Sequence, residues 1–326
     1  MSLTENRSKA LWMKVLRKLQ YSAFRQRWNI AATPYPASMV AGLEGPAHQA
    51  IALQNLRWME EDREAFAADP FIVKNQNEIN SYRIFYEAFP WKETRGRIDY
   101  VNFRAGMFDS PKTSLSSPHH LSYPYIMPYE GDIAIMPEHS SAGDVSAYRL
   151  REDGVAGKEW SLGLGVRLID SSITFQNGRY WLFATKPGEN ENSDLYIYHS
   201  SSLSGGWKAH SRNPVKTDCS NSRPAGQFIF FGRKLYRPAQ DCMSHYGSSI
   251  KINEITTLTA DKFGERVVSE IHPLAKSTYN YGLHTISYAG NLTAIDGARI
   301  ESSIHPIFDP LGRRILRSIE EIKLQR

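Results

Sequence analysis

The sequence has few cysteines, no long apolar run and no strong excess of one charge, and each shortage excludes a class of protein. Its 326 residues contain two cysteines, Cys219 and Cys242, which provide neither a disulfide framework nor a metal-ligand spacing. No stretch of eighteen apolar residues exists, and residues 1–30 lack the uninterrupted apolar segment of a signal peptide. We therefore expect no membrane span and a cytoplasmic location.

The charge is mildly positive, with a formal net charge of +5 and a pI near 9.0. Much of the excess lies at the two ends, in LWMKVLRKLQYSAFRQRW and GRRILRSIEEIKLQR. A nucleic-acid-binding protein is expected to carry a basic stripe interleaved with aromatic residues, and the middle of the chain shows none. We therefore expect no nucleic-acid partner. Since no metal motif occurs, we also expect neither a metal nor a cofactor.

The residues that are abundant indicate a β-rich fold. Hydrophobic residues make up 41% and charged residues 22%, which is typical of a folded protein with a sizeable core. The 17 Tyr, 14 Phe and 7 Trp residues suit β-sheet surfaces. The same aromatic residues suit stacking on a polar ligand such as a sugar, so they fit either a large β core or a ligand site.

Helical patterns are confined to the two ends of the chain and one short internal segment. Leu11, Val15, Leu16 and Leu19 recur at helical spacing between basic residues. This amphipathic segment would contact an anionic membrane surface or a partner, or pack on the protein's own surface. NLRWMEEDREAF, residues 55–66, carries a second helix signal, and residues 306–326 are predicted to form a basic C-terminal helix.

A repeat of about fifty residues indicates the architecture. From Asp69 onward, short aromatic and β-branched runs alternate with glycine or asparagine turns. Five units open at equivalent positions, which are Asp69, Tyr123, Asp170, Arg223 and His284. We predict an all-β fold, a five-bladed β-propeller over residues 58–305, preceded by a helical or extended segment over residues 1–57 and followed by the C-terminal helix. A β-sandwich would not explain the regular period.

The inner strand of every blade lines the channel of a propeller, so polar residues that open the units are candidates for a site. Carboxylates, histidines and arginines that converge there would suit a polar, hydroxyl-rich or anionic ligand. Taken singly, Asp-Pro and Asp-Ser pairs often only begin a turn. The candidate catalytic residues are Asp69, Glu138, Asp170 and Asp241, and the candidate ligand-binding residues are His120, Tyr123, Arg223, Arg237, Gln240, His284 and Asp296.

Two segments resemble the five-bladed propeller glycosidases of family 43. These are Asp69–Ile72 and the stretch from Ile169 to Phe183, which contains Ile-Asp-x-Ser and Asn-Gly-Arg-Tyr-Trp-Leu-Phe. The resemblance implies that Asp69 is a general base and that Asp170 adjusts its pKa and orientation. It also implies a glutamate acid on the fourth blade, where this sequence has Arg223. Because arginine does not donate a proton near neutral pH, Glu138 or Asp241 would have to supply the acid.

A closer resemblance runs from about Trp58 to Asp296. The ordered motifs ADPF, FYE, HLSYP, MPE, YWLF, SLSGGW, RPAG and YRPAQDC are similar to the propeller domain found N-terminal in plant glucosamine inositolphosphorylceramide transferases. In that family the glycosyl transfer is assigned to a different, C-terminal domain. The resemblance therefore implies a glycan-associated propeller without fixing its reaction.

Three functions follow from these observations. The first is an enzyme acting on a glycosidic bond through paired carboxylates. The second is a phosphorylase or transferase in which Arg223 and Arg237 bind an oxyanion, with His120 and His284 as further donors. The third is a non-catalytic sugar-binding or scaffold domain whose arginines are paired to Asp69, Glu138 or Asp241. The geometry of the channel separates these alternatives.

Overall fold

Five antiparallel sheets form the protein in a computed structural model that describes residues 24–302 apart from residues 76, 77 and 79. The predicted five-bladed β-propeller is confirmed. Residues 28–297 form one unit. The described ends of the chain, residues 24–27 and 298–302, belong to a second unit, in which Arg25, Arg27 and Arg299 pair with Glu301.

The strands follow one another blade by blade. The chain begins with β1 (Phe24–Thr33) and β2 (Arg57–Trp58). The first blade contains β3 (Ala65–Lys74), β4 (Ser81–Pro90), β5 (Arg97–Arg104), β6 (Met107–Phe108) and β7 (Lys112–Leu115). The second contains β8 (Ser122–Tyr129), β9 (Asp132–Glu138), β10 (Ser146–Leu150) and β11 (Ala156–Ser161). The third contains β12 (Ile169–Gln176), β13 (Arg179–Thr185), β14 (Asp194–Ser200), β15 (Lys208–Ala209) and β16 (Lys216–Thr217). The fourth contains β17 (Ile229–Phe231), β18 (Lys234–Asp241), β19 (Ser249–Leu258) and β20 (Phe263–Ile271), and the chain ends with β21 (Ile286–Ala289) and β22 (Leu292–Ser302).

The fifth blade is built from both ends of the chain, in the sheet order β2-β1-β22-β21. The pair Ala31 and Trp58 sets the register of β1 against β2. The propeller therefore begins well before residue 58, the predicted boundary. The repeat did not reveal this, because almost the whole chain separates β1 from β22, its neighbour in the sheet.

Two short helices, α1 (Ala37–Val40) and α2 (Pro46–Gln54), connect β1 to β2. The predicted helix over residues 55–66 is wrong, since this segment contains β2 and the start of β3. Pairing with β1 and β4 outweighs the local helical pattern there. The predicted terminal helices over residues 11–19 and 306–326 lie outside the described residues. Within the described ranges, no helix is long and apolar enough to cross a membrane.

Apolar clusters separate each blade from the next and hold the ring together. Between the second and third blades, for example, Tyr125 and Met136 pack with Ile173 and Leu182. Between the third and fourth blades, the ring of Phe183 meets that of Phe228 edge-on at 5.1 Å. Burial of these faces is the main stabilising contribution, because the hydrophobic effect scales with the apolar area removed from water.

The inner strands of the first three blades share one backbone feature. Asp69, Tyr123 and Asp170 adopt positive φ angles of 54°, 42° and 50°, and each lies in a β-bulge where the strand register shifts. Their predicted equivalence is thus confirmed by conformation, and the bulge turns each residue out of the regular strand alternation. In the inner segment of the fourth blade, Gly226 has a positive φ angle and Arg223 does not. A Cβ on Gly226 would lie 2.0 Å from the carbonyl oxygen of Ile286, so only glycine fits this approach of two inner strands.

Candidate functional site

A cavity of about 310 Å³ opens where the inner strands of the blades meet, within the range of small-ligand sites. Its polar lining is acidic, with five carboxylates and one arginine: Asp69, Glu87, Glu138, Asp170, Glu191 and Arg223. His120, Ser122, Ile169, Pro187 and Tyr246 complete it. The predicted residues Asp69, His120, Glu138, Asp170 and Arg223 are therefore brought together.

Glu87 and Glu138 occupy equivalent positions on the second strands of their blades. Glu87 pairs with Ala68, and Glu138 pairs with Ser122. Ala68 and Ser122 each directly precede the bulge of their strand. Glu138 was among the predicted catalytic residues, whereas Glu87 was not. The signal was available, since the FYE and MPE motifs end on glutamates at matching places in successive repeats.

Asp69 is held in a buried hydrogen-bonded position at the cavity wall. Its Oδ1 accepts a hydrogen bond of 2.6 Å from the Thr285 hydroxyl, and its Oδ2 accepts one of 3.2 Å from the backbone N–H of Tyr123. The Nε2 atom of His284 lies 3.8 Å from Oδ1. Burial raises the pKa of Asp69 to about 6, an increase that the positive charge of His284 limits. Asp69 can therefore exchange a proton near neutral pH.

His284 and Asp296 lie behind Asp69 rather than in the lining of this cavity. Asp296 Oδ1 accepts the backbone N–H groups of His284 and Thr285 at 2.8 and 3.0 Å, and its Oδ2 faces Nδ1 of His284. The His284 ring stacks on Trp28 at 4.0 Å. Burial by itself lowers the pKa of His284, but Asp296 and Asp69 outweigh it and raise that pKa. These two predicted ligand-binding residues instead position Asp69 and adjust its charge.

The same three residues are the group, among those described, that could hold a metal ion. One ligand atom from each of Asp69, His284 and Asp296 lies within 4.8 Å of the others. Carboxylate and imidazole donors would suit a divalent cation. Their contacts with Thr285 and the backbone N–H groups also satisfy these carboxylates through protein donors alone.

Arg223 forms an ion pair with Asp170, which lines the cavity together with Asp69. Its Nε donates a hydrogen bond of 2.6 Å to Asp170 Oδ2, which also accepts one of 3.0 Å from the Gln240 amide. Nη1 of Arg223 donates to Asn192 at 2.9 Å, and the guanidinium lies 4.9 Å from the ring centre of Tyr246. The positive charge of Arg223 therefore compensates the negative charge of Asp170, as expected for a charge-assisted pair.

Glu87 and His120 lie beside each other in the lining of the cavity. The Nδ1 atom of His120 accepts the backbone N–H of Gly96 at 2.8 Å, so the ring proton of neutral His120 lies on Nε2, which is 3.6 Å from Glu87 Oε1. Burial lowers the pKa of His120. Burial, followed by repulsion from Asp69 and Glu138, raises the pKa of Glu87 well above its usual value. Glu87 therefore keeps its proton more strongly than a solvated glutamate does.

The structure does not bring the predicted residues Arg237 and Asp241 to this cavity. Arg237 is 1% exposed and bonds both oxygens of Glu265, at 2.7 and 2.8 Å. Asp241 pairs with Lys251 at 3.1 Å. Side chains alternate between the faces of a strand, so Arg237 and Asp241 point away from the face on which Gln240 reaches Asp170.

Tyr123 and Gln240 also support the site from outside its lining. Tyr123 is fully buried, and its hydroxyl bonds Ser172 at 2.8 Å and the backbone N–H of Gly226 at 2.5 Å. Gln240 is fully buried and links Asp170 to the carbonyl of Pro224 at 2.9 Å. These two predicted ligand-binding residues therefore connect different blades through hydrogen bonds.

The raised pKa of Glu87 predicts a pH-dependent cost in stability. Since its folded-state pKa exceeds the unfolded value near 4.5, the cost is absent below that pH and grows as pH rises towards the folded-state pKa. Glu87→Gln should therefore gain stability over wild type between pH 4.5 and 7.5, by up to about 1.4 kcal/mol per pH unit. Urea unfolding across this range measures it. Glu191→Gln, at a more exposed position of the same cavity, is the control, and a parallel pH dependence in both variants would contradict the assignment.

Together the fold and the cavity define a five-bladed propeller with an acidic channel-mouth pocket. Within this class, the chain belongs to the family described as "Glucosamine inositolphosphorylceramide transferase 1, N-terminal", whose model matches residues 58–282. The predicted resemblance is confirmed.

Curated relatives include the glucosamine inositolphosphorylceramide transferases 1 of two plants. The protein from Oryza sativa subsp. japonica is 32% identical over 210 residues, or 61% of this chain and 27% of its own length. The protein from Arabidopsis thaliana is 28% identical over 253 residues, or 73% of this chain and 33% of its own length. This chain thus spans about a third or less of the relatives it matches.

Solved structures confirm the fold. The exo-β-1,3-galactanase 1,3Gal43A from Clostridium thermocellum matches with a TM-score of 0.52 and 12% identity, over 65% of this chain and 53% of its own. The α-L-arabinanase of Cellvibrio cellulosa, complexed with arabinohexaose, matches with a TM-score of 0.50 and 11% identity, over 65% of this chain and 85% of its own. At these identities the likeness concerns the fold alone.

Proposed function

We propose that this propeller is a carbohydrate-active domain that binds a sugar in the channel-mouth cavity and acts on a glycosidic bond there. In this proposal Glu87 is the general acid and Asp69 the general base, with Asp170 orienting the site through Arg223. The names of the plant relatives and of the galactanase and arabinanase neighbours support a carbohydrate ligand.

The difference between the two buried carboxyls carries this proposal. Glycosidic-bond chemistry needs two carboxyl groups that flank the bond. One is protonated at the working pH and acts as the acid, and the other is ionised and acts as the base. The pKa of Glu87 is raised well above its usual value, whereas that of Asp69 is raised only to about 6, where His284 favours its charged form. Both line the same cavity. In this proposal Glu87 takes the acid role for which the sequence suggested Glu138 or Asp241.

An anion-binding phosphorylase or transferase is less consistent with this arrangement. Arg237 is buried against Glu265, so it cannot join Arg223 in holding an oxyanion. Arg223 is itself bound to Asp170 in a cavity lined by four further carboxylates. Such a cavity repels phosphate and suits neutral or cationic sugars.

A glycan-binding module without catalysis is the second candidate. The Arg223–Asp170 ion pair favours it, because a paired arginine at the channel mouth is what a purely structural role requires. Such a module would use the cavity to recognise a sugar for a partner domain.

Ligand screening tests these alternatives with the full chain. Neutral glycosides, amino-sugar glycosides and sugar phosphates are titrated by calorimetry, and the products are analysed by chromatography. We expect binding of uncharged or amino-sugar glycosides, cleavage or transfer of one of them, and no binding of sugar phosphates. Binding without turnover would support the second candidate, and tight binding of sugar phosphates would contradict both.

A further inference from the structure

The only two cysteines of the chain lie side by side. Cys219 precedes the inner strand of the fourth blade, and Cys242 directly follows β18. The backbone N–H of Cys242 donates to the carbonyl of Cys219 at 2.9 Å, and the N–H of Gln240 donates to that of Arg223 at 2.8 Å. A direct N–H to O=C bond between two residues brings their Cα atoms within the roughly 4.4–6.8 Å that a disulfide requires.

The two thiols are free and point to different neighbours. Cys219 Sγ lies 3.2 Å from the sulfur of Met243, and Cys242 Sγ lies 3.9 Å from the amide oxygen of Gln240. Both cysteines are half-buried, so neither is sealed in the core. Formation of a disulfide therefore requires rotation about the Cα–Cβ bonds, which moves the sulfurs away from these neighbours.

We propose that Cys219 and Cys242 are a redox-active pair that forms an intramolecular disulfide by exchange with a low-molecular-weight disulfide such as oxidised glutathione. The thiolate of Cys219 attacks one glutathione sulfur, forming a mixed disulfide and releasing one glutathione thiolate. The thiolate of Cys242 then attacks Cys219 Sγ and releases the second glutathione. The protein thiols lose two electrons and two protons, and one oxidised glutathione becomes two reduced molecules.

The order of the two attacks follows from the surroundings of the sulfurs. Burial raises the pKa of the Cys242 thiol, an effect that a hydrogen bond with the Gly247 backbone and the Arg223 charge only partly offset. A buried thiol with a raised pKa forms less thiolate and reacts more slowly with an external disulfide. Cys242 is therefore suited to resolve the mixed disulfide within the protein.

The bond would close a loop that contains two donors to Asp170. Arg223 and Gln240 both lie between the cysteines and both bond Asp170 Oδ2, at 2.6 and 3.0 Å. A disulfide across the ends of this segment restricts its unfolded conformations. Oxidation is thus expected to stabilise the blade that holds Asp170 in place. This inference does not depend on the proposed function.

Peptide mapping of the full chain tests the proposal. The protein is equilibrated with reduced and oxidised glutathione in varied ratio, free thiols are alkylated, and trypsin digestion without reductant follows. We expect the peptide of residues 217–233 linked to that of residues 235–251, with loss of the link after dithiothreitol. The oxidised protein should melt about 5 °C or more above the reduced protein. Cys219→Ser and Cys242→Ser should each lose this shift.

Other products would overturn the proposal. These are two glutathione adducts on one chain, disulfide-linked dimers, or two thiols that remain open to alkylation in excess oxidised glutathione. The mapping uses the wild-type chain, so its result stands even where a serine variant folds poorly. A melting shift that persists in both serine variants would show that oxidation acts elsewhere.

Discussion

Asp69→Asn is expected to lower turnover of a glycosidic substrate by about 10²–10⁴-fold, the usual contribution of a positioned acid or base. Asparagine keeps an oxygen to accept from Thr285 or Tyr123 but cannot take up a proton. Wild-type turnover should fall on the acid side of pH about 6, where Asp69 becomes protonated, and this limb should be missing from the residual activity of the variant. Initial rates across the pH range measure both effects.

The variant should remain folded, because ionised Asp69 is costly to the native state. Its folded-state pKa of about 6 lies above the usual 3.8, so the cost is absent below about pH 4 and fully present above about pH 6. Asparagine never carries this charge, and unfolding at pH 7 should show no loss of stability. Asp241→Asn is the matched control, since Asp241 pairs with Lys251 outside the cavity. Equal losses of turnover in the two variants would contradict the role of Asp69.

Arg237→Met is expected to destabilise the fourth blade by about 3–5 kcal/mol, because it leaves a buried carboxylate without its main partner. Arg237 holds both oxygens of Glu265 and also bonds the carbonyls of Ser222 and Asn221, at 3.1 and 2.8 Å. Lys216, 3.0 Å from Glu265, would remain as a single counter-charge. Urea unfolding at pH 7 measures the change in free energy.

Arg266→Met is the matched control for this prediction. Arg266 pairs with Glu254 at 2.9 Å in the same blade, but its side chain is 63% exposed, so its loss should cost at most about 1 kcal/mol. The pH provides a second check. Burial alone would raise the pKa of Glu265, but Arg237 outweighs it and the pKa is lowered. The stabilisation is therefore present above about pH 4.5 and lost as pH falls through the folded-state pKa. Similar losses in both variants would contradict a special role for Arg237.

The blades were predictable because their information is local. Each β-hairpin carries its own alternation and turn residues, and the recurrence of Asp69, Tyr123 and Asp170 follows from one bulge repeated in three inner strands. The place of β1 in the fifth blade was not predictable in this way. Its neighbour β22 lies almost a whole chain length away in sequence, and no local pattern records a pairing at that separation.

The sequence by itself determined the five-fold repeat, the polar residues at the strand openings and the family. Only the tertiary structure decided which of those residues meet. It brought Asp69, Glu138, Asp170 and Arg223 to one cavity, added Glu87, and assigned Arg237 to Glu265. Strand period alone cannot show which face of β18 reaches the channel, since that depends on how neighbouring blades pack. Nor can spacing in the chain show that Cys219 and Cys242 are adjacent, because their contact arises from the antiparallel return of the segment between them.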